Sequence, residues 1–203
     1  MDWNFFLWTR YLGTGHDRWP AADDARACYG FLLSRHYGYQ EARLAFGGYD
    51  WGGGMAQLPA LDILIDNATS TVSRLSNGTL NPAPNVVLIN LGENGAPAYD
   101  AVTKALKMIR KSVKKATKII VMIPVSGRAR SEVTGAFYLY KKDSGDDQTF
   151  LIDLGPVKYA TCDGQHPTAA GHDAIFEAAL PDFDLILTGS NRETNLQKSS
   201  RQF

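Results

Sequence analysis

Cys162-Asp163-Gly164-Gln165-His166-Pro167-Thr168-Ala169-Ala170-Gly171-His172 is the stretch on which the reading of this chain turns. An Asp three residues before a His, in a loop closed by a proline, can place a carboxylate beside an imidazole. The carboxylate then fixes the imidazole tautomer and stabilises its charged form, and the other ring nitrogen acts as a general base. A plainer reading has equal weight: a capping Asp and a surface His ahead of a helix. Spacing does not separate the two. His172 falls inside that helix and reads as structural.

Outward from this loop the chain alternates between helix-like and strand-like pieces. Thr168 to Leu180 reads as the last helix, Thr149 to Leu154 as a strand, Ser131 to Lys142 as a helix and Lys118 to Val125 as a buried strand. Ala98 to Ala116 is helical, with Val102, Ala105, Leu106, Ile109 and Val113 on one face. Its lysines, among them Lys104, Lys107 and Lys111, read as a solvated face with cations favoured near the C-terminus, ahead of an anion patch. Asn85 to Leu91 is a nearly continuous apolar run, as expected of a strand covered on both faces. Ala42 to Phe46 is a short strand, Asp23 to Tyr37 a helix, and the apolar start through Trp8 a core strand. Such alternation predicts a parallel sheet with helices on both sides, and ligands bind such sheets beyond the carboxyl ends of the strands.

Two further signals sit after predicted strands. Gly92-Glu93-Asn94-Gly95 follows Leu91, and an Asn at a strand end can donate its amide to an oxyanion. Taken alone, an ordinary Asn-Gly turn explains it better. Ala45-Phe46-Gly47-Gly48-Tyr49-Asp50-Trp51-Gly52-Gly53-Gly54 lets backbone N–H groups approach a ligand, and a flexible loop explains it equally well.

Composition narrows the classes. The chain has 203 residues, 44% hydrophobic and 21% charged, with formal net charge zero. This length suits one well-buried core, expected as a single domain over residues 1–187 with a polar tail over 188–203. The absence of a basic excess argues against a nucleic-acid partner. No apolar run reaches the roughly 18 residues of a membrane span. The first residues lack the basic start and cleavage site of a signal peptide. Asn67-Ala68-Thr69 and Asn77-Gly78-Thr79 would accept N-glycans in a secreted chain, but the compartment stays open. Cys28 and Cys162 are too few for a disulfide framework, and their pairing is not legible.

The order of the glycine turn, Gly-x-Asn and Asp-x-x-His-Pro, over about Asp23 to Leu187, resembles the SGNH (GDSL-type) ester hydrolases. The resemblance implies a three-layer α/β/α sandwich around a parallel, flavodoxin-like five-stranded sheet. It implies that Gly48 and Asn94 help form the oxyanion hole, that His166 is the base and that Asp163 is its partner. It implies a small-molecule ester substrate and no metal or organic cofactor; oligomeric state is left open. The family usually has Gly-Thr-Asn-Asp in its third block, so Glu93 and Gly95 depart from the pattern around Asn94.

The family's first block, Gly-Asp-Ser after the first strand, is missing. Alignment on Gly13-Thr14-Gly15 puts Leu7-Trp8-Thr9 in its place, and no serine occurs before Ser34. Three readings compete. Thr9 serves as the nucleophile, although its methyl crowds the attack. Alternatively, the chain is a non-catalytic descendant that binds a ligand. In the third reading the N-terminal frame is misread: Trp8-Thr9 must be encoded TGG-ACN, which contains GAC for Asp in the shifted frame. Genomic sequence with no Asp-Ser in any frame there would remove that reading. A flavodoxin-like nucleotide-binding protein is disfavoured, because Gly13-Thr14-Gly15 is too short for a phosphate loop.

Overall fold

The computed structural model describes residues 3–8, 25–45, 48–54, 59–69, 79–80, 83–161 and 164–189. The chain divides into two compact units, residues 1–11 with 34–156 and residues 12–33 with 157–203.

The first unit is built on a parallel sheet. Its strands are β1 (Trp3–Trp8), β2 (Gln40–Ala45), β5 (Val86–Asn90), β6 (Lys118–Met122) and β7 (Thr149–Ile152), arranged β2-β1-β5-β6-β7. A two-residue hairpin, β3 (Tyr49–Asp50) and β4 (Gly53–Gly54), follows β2. The five sheet strands overlap the segments read as strands from the sequence, with β2 starting two residues before the expected Ala42. Val87, Ile89, Ile119 and Val121 join the main core, and the alternate residues Leu88, Ile120 and Met122 are buried as well.

Three helices of this unit are α2 (Leu61–Thr69), α3 (Tyr99–Ser112) and α4 (Arg130–Ser144). The expected apolar stripe of α3 is the buried one, with Val102, Ala105, Leu106 and Ile109 fully enclosed. Burying each larger aliphatic side chain is worth about 1.5–3 kcal/mol. These side chains pack with Leu61 and Ile65 of α2 and Val133, Ala136 and Phe137 of α4. The helix stops at Ser112, four residues short of expectation, because Val113 is already extended (φ −129°, ψ 166°). Ser112 is held there from outside the helix: its carbonyl accepts from Leu80 N at 2.8 Å.

The second unit contains a 3-10 turn (Ala25–Ala27), the start of α1 (Tyr29–His36) and α5 (Ala169–Thr188). The helix expected from Asp23 is shorter, since residues 25–27 form the tighter turn. Conversely, α5 continues past the expected end at Leu180 and runs through Pro181. A proline removes one backbone donor, but Phe183 beyond it is 2% exposed, so continuing the helix buries another aromatic ring. No helix among the described residues is long and apolar enough to cross a membrane.

Candidate active site

The carboxyl ends of three strands converge in the first unit. Trp8, the last residue of β1, is in register with Ala45 of β2 on one side and with Asn90 of β5 on the other. The Gly48 turn therefore leaves the sheet on one flank of the β1 end, and the Asn94 turn leaves it on the other. Both lie at the β2-β1-β5 junction, where the strand order reverses and α/β sheets bind ligands.

The Asn94 turn is shaped by what surrounds it. Gly92 has φ +118°, a region closed to residues with a side chain, and a β-carbon there would lie 3.0 Å from Ala129 Cβ. Ala129 itself is left-handed (φ 51°), so a non-glycine residue accepts strain at the entry to α4. Glu93 ties the turn to the same loop. Its carboxylate accepts from the Ser126 hydroxyl, and its carbonyl accepts from an Arg128 guanidinium N–H at 3.1 Å. Arg128 Nε also stands 3.9 Å from Glu93 Oε1.

On its other side the turn meets the hairpin. Asn94 Nδ2 donates to the Tyr49 carbonyl at 2.9 Å. An amide nitrogen carries two hydrogens, so this bond orients the group and leaves a second donor for an oxyanion. Gly48, with φ +71°, opens the hairpin. The Tyr49 ring is buried and its hydroxyl donates to the Pro59 carbonyl at 2.9 Å. Burial, with a smaller contribution from Asp62, pushes that phenol up to about 12. Trp51 is fully enclosed, and its indole N–H has no hydrogen-bond partner among the described residues.

Asp50 lies between these anchors. One carboxylate oxygen accepts from Trp51 N at 2.8 Å, and the other lies 3.3 Å from the point a β-carbon on Gly95 would occupy. Burial raises its carboxyl to about 6, against the lowering effect of the Trp51 N–H. Next to the turn, at the start of α4, is a cavity of about 670 Å³ lined by Ala129, Arg130, Ser131, Thr134 and Asp153. Arg130 and Asp153 are paired across it at 3.1 Å.

In the second unit the His166 loop is closed by its own backbone. Thr161 and Pro167 form an antiparallel bridge, and Thr168 N donates to the Ala160 carbonyl at 2.9 Å. The Thr168 hydroxyl then accepts from Gly171 N at 3.2 Å and caps α5. A β-carbon on Gly171 would overlap the Ala160 carbonyl oxygen, so the first turn of α5 can pack on the loop only with glycine there. Pro167, Thr168 and Gly171 thus set where the chain carries the partly buried His166. His172 is 3% exposed; its ring stacks on Tyr29 at 5.8 Å, and its Nδ1 lies 3.5 Å from Tyr29 N.

Of the residues expected to do chemistry, Gly48 and Asn94 belong to the first unit, on either flank of the β1 end, and His166 belongs to the second. Thr9 and Asp163 lie outside the described residues. Sequence reasoning passed over Asp50, Ser126 and Arg128. Asp50 had one signal, an acidic residue inside a glycine-rich turn; Ser126 and Arg128 lie 33 and 35 residues from Glu93 and had none.

No protein-family model matches the chain, and no curated protein matches it in sequence. Solved structures do. An acetyl xylan esterase from the rumen bacterium Butyrivibrio proteoclasticus aligns with TM-score 0.72 and 15% identity, over 92% of this chain and 64% of that one. A carbohydrate esterase whose active site displays divergent catalytic and non-catalytic binding functions aligns with TM-score 0.66 and 14% identity, over 90% of this chain and 68% of that one. A carbohydrate acetylesterase family member from Sinorhizobium meliloti aligns with TM-score 0.53 and 14% identity, over 92% and 99%. The chain thus spans less than two thirds of the length of the acetyl xylan esterase. Neighbours include family two carbohydrate esterases, which have the SGNH hydrolase fold, and this chain has that fold.

Proposed function

We propose that the chain is a carboxylic ester hydrolase acting through an acyl-enzyme on short-chain or carbohydrate acetyl esters. The observation that carries the reading is the register of Trp8 with Ala45 and Asn90, which sets the Gly48 and Asn94 turns on either flank of the β1 end. In this mechanism the hydroxyl of the residue after Trp8, Thr9, attacks the acyl carbon while His166 takes its proton. Asp163 orients the imidazole and stabilises its charged form. The oxyanion is held by Gly48 N–H and the second Asn94 amide hydrogen. Collapse expels the alcohol, which takes the proton from His166. Water then attacks the acyl-enzyme, again giving its proton to His166, which passes it to the Thr9 oxygen as the acid leaves.

A second reading is favoured by one observation: the position after β1 carries Thr and not Ser, and no serine precedes Ser34. On that reading the chain binds an ester or its sugar and does not turn it over. Labelling with a fluorophosphonate, followed by peptide mapping, separates the two. Hydrolysis predicts an adduct on Thr9 that is lost in His166→Ala; absence of any adduct in the parent favours the binding reading.

A further inference from the structure

We propose that Asp50 is a specificity-determining residue, whose carboxylate accepts a hydrogen bond from a hydroxyl of the alcohol portion of the substrate, so that polyol esters are preferred to simple ones. The inference rests on the ester-hydrolase reading and deepens it. Three observations in the first unit support it. The carboxylate is fixed in direction, because one oxygen is tied to Trp51 N at 2.8 Å. Its second oxygen is turned over Gly95, where there is no side chain, and makes no hydrogen bond or ion pair among the described residues. The neighbouring carbonyl, that of Tyr49, is the one that orients the Asn94 amide. The carbonyl that orients the candidate oxyanion donor and this carboxylate acceptor therefore belong to consecutive residues of one hairpin strand, beside a turn kept bare by Gly95.

A partly buried carboxylate with so little compensation is disfavoured in the folded chain, and burial accordingly raises its pKa. A hydroxyl donor supplies the missing hydrogen bond without introducing a charge. Sugars and other polyols carry such donors next to the esterified oxygen; an aryl or simple alkyl ester carries none. A site built to accept a hydroxyl discriminates strongly against an analogue without one, because its own polar group is left unpaired.

The test compares the whole chain with Asp50→Asn on two esters, 4-nitrophenyl acetate and a mono-O-acetylated methyl xyloside. The ratio of kcat/KM for the sugar ester to that for the aryl ester should fall about tenfold or more, chiefly through KM. A ratio unchanged within twofold would overturn the proposal, including the case where both activities fall together, which marks a structural role. If the parent hydrolyses neither ester, the ester-hydrolase reading fails on its own. Calorimetric binding of unacetylated methyl xyloside then decides the role of Asp50. Binding weakened about tenfold in Asp50→Asn supports it, and equal binding, or none in the parent, overturns it.

Discussion

At Gly171 a missing side chain determines how the loop before α5 can close. The Ala160 carbonyl oxygen occupies the space a β-carbon would need, and backbone on both sides leaves little room to yield. Gly171→Ala is therefore expected to lose about 1–3 kcal/mol of stability, the usual cost of overpacking. Denaturant unfolding measures it, and a loss below a few tenths would show that the loop relaxes freely. Asp50 makes the opposite kind of statement, through charge. Its carboxyl is raised from 3.8 to about 6, so the folded chain binds more protons than the unfolded chain between those values. Its contribution to stability therefore falls as pH rises from about 4 to about 6 and stays low above that. Asp50→Asn should remove this decline, which makes the variant no less stable than the parent at pH 7 and keeps the activity comparison interpretable.

Among the elements, the polar tie around Asp146 is worked out most fully. Burial alone would raise this carboxyl. Donors from Thr149, Tyr140, Gln148 N and Arg110 outweigh burial and hold it at about 2. They join α3 and α4 to the start of β7: Arg110 Nε donates at 2.9 Å, Tyr140 OH at 2.7 Å and Gln148 N at 2.9 Å. Lys141 adds a bond to the Asp146 carbonyl. The folded value lies below the unfolded one, so the contribution is present above about pH 4 and lost as pH falls toward 2. Because the carboxylate is partly exposed, solvent screening reduces the size of this contribution to about 1 kcal/mol. Asp146→Asn should abolish that acid-dependent part; a stability difference from the parent that stays flat between pH 5 and pH 2 would refute the role. The same scale shows what sequence reading could and could not reach. Strands β1, β5, β6 and β7 were legible because mostly apolar runs of four to six residues leave few alternatives, and β2, which carries Gln40, Glu41 and Arg43, was placed only over its second half. The hairpin was not, because two residues per strand carry no period. Helix α2 was missed as well: it is a 9-residue element in which, among the described side chains, only Leu61 and Ile65 are buried. At the candidate site, Pro167, Thr168 and Gly171 announced their loop because their partners lie within about ten residues. The Glu93 tie to Ser126 and Arg128 spans more than thirty, and the parallel pairing of β5 with β6, with the packing of α4's entry loop against Gly92, brings them together.

For the whole molecule, the sheet order and the likeness to carbohydrate esterases establish a fold, and a fold hosts many activities. The functional conclusion rests instead on how turns after β2 and β5 flank the end of β1, and on the loop that carries His166 ahead of α5. Steady-state hydrolysis of 4-nitrophenyl acetate by the parent chain beside His166→Ala tests that conclusion most directly. Turnover in the parent that falls by roughly 10² or more in the variant is the predicted result, as expected for loss of the general base. No turnover in the parent, or turnover that His166→Ala leaves intact, would contradict it.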